Sequence, residues 1–116
     1  MAFLTIAPIR PGHVLVVPVE EVDRWTEVDP EVWAHASRVA QQIATVLEST
    51  FDCNRVGLIV AGLEVPHCHL HLIPIETEAD LDFAKADHAI DPDALDDAAD
   101  RIRTALRAAG HTATSE

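Results

Sequence analysis

The sequence predicts an α+β domain: a mostly antiparallel sheet with one long central helix and a C-terminal helix. Three observations predict it. Short stretches rich in β-branched residues follow one another with brief connections, as in locally paired strands. Residues 29–50 carry apolar side chains at three- and four-residue steps, the period of a helix packed on one face. A second stretch with the same Asp-Pro start lies near the end of the chain. A length of 116 residues suits a single domain. We place it at 1–110, with 111–116 as a flexible tail.

"AFLTI", residues 2–6, suits a short strand, and "APIRPG" then breaks regular structure with two prolines and a glycine. "HVLVVPV", 13–19, is β-branched and reads as a mostly buried second strand. A polar connection follows, with a helical turn expected around Asp23–Trp25. Asp29 is a good N-cap for the long helix, Pro30 fits its first position, and Glu31 favours the positive end of the dipole. Trp33, Ala36, Ala40, Ile43 and Leu47 form its apolar stripe, and His35 lies off that stripe on the surface. "RVGLIVAG", 55–62, and "LEVPHCHLHLIPI", 63–75, read as an antiparallel pair, the second strand beginning near Pro66. Residues 76–90 are irregular and acidic. The last helix starts at Asp91-Pro92, sets Leu95, Ala99, Ile102 and Leu106 on one face, and stops at Gly110.

The formal net charge of −12 speaks against binding long nucleic acids through phosphate neutralisation, while leaving room for a small nucleotide in a local pocket. No apolar run is long enough to span a membrane, and the first residues lack the layout of a signal peptide. Cys53 and Cys68 are too few and too scattered for a disulfide framework, so a cytoplasmic, reduced protein is expected.

The chemistry is concentrated in "PHCHLHLIPI", residues 66–75, where His67, His69 and His71 recur at two-residue spacing. In an extended chain residues two apart share a face, about 7 Å apart at successive steps. Cys68, Leu70 and Leu72 then point to the other face and pack in the core. Three readings follow. The histidines can be polar side chains on a solvated sheet surface. They can hold zinc, with His13 as a further ligand, although three collinear imidazoles fit a tetrahedral ion poorly. They can also supply a nucleophile, since an imidazole is competent near neutral pH once its other ring nitrogen is anchored. Neighbouring rings then serve as proton donor and oxygen holder, an arrangement suited to phosphoryl or nucleotidyl transfer.

"HCHLHLI", 67–73, resembles the signature of the histidine triad (HIT) family, His-φ-His-φ-His-φ-φ with φ apolar. "FLTIAPIRPGHVLVVP", 3–18, resembles the family's strand–Pro-Gly-His–strand segment in order and spacing. The resemblance covers nearly all of the chain up to Ile75. It implies a homodimer that hydrolyses or transfers nucleoside monophosphates from phosphoramidates or (di)nucleoside polyphosphates, with no cofactor and no metal. By position, His69 is the nucleophile that forms a nucleotidyl-imidazole intermediate. The His67 carbonyl orients it, the His67 ring assists the leaving group, His71 binds phosphate, and His13 supports the site. Thr5 and Phe3 are candidates for contacting ribose and base.

Departures from the family pattern point to one other function, and the histidine row by itself to a second. The chain opens at what resembles the family's second strand, so the preceding helix and strand are expected to be missing. Thr5 replaces a frequent acidic or amide residue, Leu63 a frequent glutamine, and Ile75 a frequent arginine. A nucleotide-binding protein with little turnover is therefore the first alternative, and a zinc-dependent hydrolase the second. Trp25 and Trp33 read as packing residues, Cys68 as core, and Glu64 as solvated. His88 and His111 carry no signal.

Overall fold

A computed structural model describes residues 2–5, 7–60 and 66–110. Its elements are β1 (Ala2–Leu4), β2 (Val14–Val16), α1 (Pro30–Thr50), β3 (Arg55–Ile59), β4 (Leu70–Ile75) and α2 (Pro92–Ala108). Single turns of 3-10 helix lie at Trp25–Glu27, Glu78–Asp80 and Phe83–Lys85. The sheet runs β1-β2-β4-β3 with every pairing antiparallel, the α+β architecture expected from sequence. Leu63, Glu64 and His111 lie outside the described residues.

The helices form where their caps and stripes dictate. Asp29 accepts the Glu31 N–H at the start of α1, and Asp91 accepts the Asp93 N–H at the start of α2. α1 buries Ala36, Ala40, Ile43, Val46 and Leu47, while Trp33 is only half-buried and His35 is exposed. α2 buries Ala98, Ile102 and Leu106. Gly110 adopts φ +90°, the left-handed conformation that favours glycine just past a helix. Both helices cover the face of the sheet that carries Val14, Val16, Leu70 and Leu72, and Cys68 joins this core at 2% exposure.

The strands are shorter than the sequence suggests, and their ends have physical causes. β2 stops at Val16, one residue short of Val17-Pro18, where proline has no N–H for the ladder. β4 begins at Leu70 and not near Pro66. Ahead of it, the Cys68 N–H donates to the Val22 carbonyl (2.6 Å) and not to a neighbouring strand. The 3-10 turn lies at Trp25–Glu27, slightly beyond its expected place.

The opposite sheet face carries a smaller apolar cluster of Ile9, Ile73 and Ile75, against which Ile59, Leu81 and Ala86 pack. Register places Phe3, Leu15, His71 and Ile59 in one cross-strand row on this face. The loop between β1 and β2 closes through Gly12 at φ +87°. A Cβ there would stand 2.8 Å from the Phe51 ring, so glycine meets both a backbone and a packing requirement.

Candidate active site

His67 and His69 precede β4, and only His71 lies within it. Alternation nevertheless holds along the whole row. Cys68, Leu70 and Leu72 are buried, while the three histidines are half-buried on the other face. Each imidazole has a defined partner. The His69 Nδ1–H donates to the His67 carbonyl at 2.7 Å, which leaves the Nε2 lone pair unpaired by that contact. The His67 Nε2–H donates to the Pro18 carbonyl at 2.9 Å. The irregular start of β4 thus has a function: it lets the backbone at His67 and the loop at Pro18 serve as acceptors for rings.

His13 fixes the third ring. Its Nδ1 accepts the Ile9 N–H at 3.1 Å, so the proton must sit on Nε2. That N–H donates to His71 Nδ1 at 3.0 Å. His71 therefore carries its own proton on Nε2 and offers it as a donor. A single backbone amide sets the tautomers of two imidazoles in series. Burial, then the adjacent His71, pushes His13 from the usual 6.5 down to about 4. Burial, then the neighbouring His69, lowers His71 to about 4 as well. Both rings are neutral at pH 7, as the relay requires.

The four histidines expected at the site are brought together, with ring centroids 4.8 Å apart for His69 and His71 and 5.2 Å for His13 and His71. Thr5 is near them: its N–H donates to the His13 carbonyl at 3.3 Å. Its hydroxyl accepts the Ala7 N–H at 3.2 Å and so helps shape the loop that carries Ile9. Phe3 stands two strands away from His71 in the same row, 43% exposed. Ile75 is packed in the small apolar cluster.

Two residues at the site went unnoticed in the sequence. Phe83 sets its ring T-shaped against His71, centroids 4.9 Å apart. The Arg10 Nε–H donates to the Pro74 carbonyl at 3.1 Å, tying the His13 loop to β4. No periodicity marks either one, since their partners are distant in sequence. Among the described residues, no group of three or more His, Cys, Asp or Glu side chains is arranged to hold a metal ion. The relay gives a reason: while the His13 N–H donates to His71 Nδ1, the proton of His71 stays on Nε2 and that nitrogen has no lone pair to offer.

Known proteins resemble the chain over most of its length. The HIT domain model matches residues 1–78. The bis(5'-nucleosyl)-tetraphosphatase (asymmetrical) of Schizosaccharomyces pombe is 35% identical over 78 residues, 63% of this chain and 43% of that protein. The bifunctional bis(5'-adenosyl)-triphosphatase/adenylylsulfatase of Arabidopsis thaliana is 30% identical over 110 residues, 90% of this chain and 58% of that protein. The chain thus spans about half the length of the curated relatives it matches. Among solved structures, a zinc-bound histidine triad family protein from Mycobacterium smegmatis superposes with TM-score 0.77 at 26% identity, covering 94% of this chain and 78% of that one. With the family model spanning the larger part of its length, the chain belongs to the histidine triad family.

Proposed function

We propose that the protein is a nucleotide hydrolase or transferase that cleaves at the α-phosphate through a covalent nucleotidyl-His69 intermediate. The observation that carries this reading is the 2.7 Å bond from His69 Nδ1–H to the His67 carbonyl. It anchors one nitrogen of the ring and aims the other outward as a lone pair. In the first step Nε2 forms a bond to the α-phosphorus, and the bond from phosphorus to the leaving oxygen or nitrogen breaks. A proton carried on His67 Nδ1 passes to that atom, while the Nε2–H of the ring stays on the Pro18 carbonyl. In the second step water, or another hydroxyl acceptor, returns a proton to His67 Nδ1 as its oxygen bonds phosphorus and the bond from phosphorus to His69 Nε2 breaks. His71 Nε2–H holds a non-bridging oxygen throughout, as a neutral donor that keeps its proton. Named activities of the relatives, a tetraphosphatase and a triphosphatase acting on dinucleoside polyphosphates, support this substrate class. Nucleoside phosphoramidates fit the same step.

The test is direct. Brief incubation with an adenosine phosphoramidate or a dinucleoside polyphosphate, followed by acid quench and mass spectrometry, is expected to show a nucleotidyl adduct on His69. Turnover by a His69→Ala variant should drop by several orders of magnitude. Normal turnover by that variant would overturn the mechanism.

One observation favours a second reading, a nucleotide-binding protein with little turnover. Thr5 and Ile75 carry no charge to offer a substrate, and the fold uses the first in its own loop and the second in the apolar cluster. Nucleotide binding without hydrolysis across a substrate panel would establish it. Zinc hydrolysis fits less well, because the His13 relay withdraws His71 from ligation. Metal analysis of the purified protein decides that point.

A further inference from the structure

The acidic segment between β4 and α2 has no part in the chemistry above, yet it lies over the histidine face. Its two turns are shaped by their own side chains. Asp80 accepts the N–H groups of Glu76 (2.9 Å) and Thr77 (3.1 Å), and Asp82 accepts the Ala84 N–H (2.9 Å). Leu81 and Ala86 pack against the Ile9–Ile73–Ile75 cluster. The segment is then tied to the loop that carries Ile9 and His13. The Asp87 N–H donates to the Pro8 carbonyl at 2.8 Å, and Asp80 faces Arg10 and Lys85 at 3.8 Å each.

Phe83 sits between these ties. It belongs to neither apolar cluster and remains 46% exposed, so its position is not explained by core burial. Its ring instead meets His71 at 4.9 Å with an interplanar angle of 67°. The His13 bond holds His71 in one setting of a ring torsion that is intrinsically broad and roughly two-fold, so a flip about Cβ–Cγ would break that bond and turn Nε2 away. His69 at 4.8 Å limits that flip on one side, and Phe83 fills space on another.

We propose that residues 76–90 form a strap whose Phe83 is a positioning residue for His71, holding that ring with its Nε2–H toward the phosphate. The strap rests on the nucleotidyl-transfer reading only for what the N–H holds. The orientation itself can be read on the free protein.

The experiment is long-range proton–nitrogen correlation on protein with 15N-labelled histidine, which separates protonated from bare ring nitrogens. The wild type is expected to show His71 with a protonated Nε2 and a bare Nδ1. In Phe83→Ala the two signals should move toward each other as the ring flips off the His13 N–H part of the time and loses its fixed tautomer. Phe83→Leu, which keeps bulk at that place, should restore the wild-type pattern. Asp80→Asn loosens the strap while leaving Phe83 in the chain, and should give an intermediate shift, so the test survives if Phe83→Ala fails to fold. In a turnover assay Phe83→Ala should lower kcat about tenfold with KM within about threefold, and Phe83→Leu should recover it. An unchanged His71 pattern in Phe83→Ala, or in Asp80→Asn should Phe83→Ala not fold, overturns the proposal whatever happens to the melting temperature. No turnover by the wild type would count against nucleotidyl transfer and leave the ring pattern to decide the strap.

Discussion

His13 is the only polar or charged side chain buried among the described residues, at 2% exposure. A buried imidazole is costly unless both nitrogens are satisfied, and here both are: one by the Ile9 N–H and one by His71. The geometry lets the cost of burial serve the site, because an amide that can only donate forces the proton of His13 outward and that of His71 outward again. His13→Ala would leave the Ile9 N–H unpaired and free the His71 tautomer. We expect a loss of about 1–3 kcal/mol in denaturant unfolding, together with a drop in kcat larger than the change in KM. His13→Gln, with an acceptor and a donor on one side-chain tip, should recover part of both. Equal activity of the alanine variant and the wild type would show that the relay has no role in turnover.

At the scale of elements, what the sequence made legible depended on how local the cause was. α1 was readable because its cap, first proline and stripe all lie within residues 29–50. The histidine row was readable because alternation is a property of neighbouring residues, and it survives even where the ladder has not begun. The start of β4 was not readable, since it is set by Pro18 and Val22 reaching across from a segment more than forty residues earlier. Phe83 and Arg10 were missed for the same reason: a loop composition predicts polarity, not which ring touches it. Gly12 marks where loop and site meet. Its φ of +87° and the Phe51 ring 2.8 Å from a Cβ leave no room for a side chain. Gly12→Ala should destabilise by roughly 1–3 kcal/mol. It should also displace the Ile9 amide, lowering activity beyond what the stability loss explains. Thermal melts and turnover on the same preparation check both parts, and an alanine variant with an unchanged melting temperature would refute the strain argument. Asp29→Ala removes only the α1 cap and should cost about 1 kcal/mol with activity intact.

For the whole molecule, pH sets two effects against each other. The net charge of −12 means self-repulsion at neutral pH, and acidification toward the sequence pI of about 4.7 relieves it. Acidification also has to charge His13 and His71. Both have folded-state values of about 4, below the ordinary 6.5, so the unfolded chain takes up those protons first. Their stabilising contribution is complete above pH 6.5 and is lost as pH falls through 4. For the buried His13 this amounts to on the order of 3 kcal/mol. Asp80 adds in the same direction: the Glu76 and Thr77 amides, then Arg10 and Lys85, hold its carboxyl below the usual range, so its share also fades in acid. Surface repulsion acts across water and is screened beyond about 8 Å at physiological salt, so it is the smaller quantity. The melting temperature should therefore fall between pH 6.5 and 4 despite the shrinking net charge. His13→Gln should flatten that descent by removing one of the two groups that must be protonated. At pH 7, where His13 and His71 are neutral, added sodium chloride should raise the melting temperature by screening the negative surface. A wild-type melting temperature that climbs steadily toward the pI would mean that repulsion, and not the buried imidazole pair, governs stability in acid.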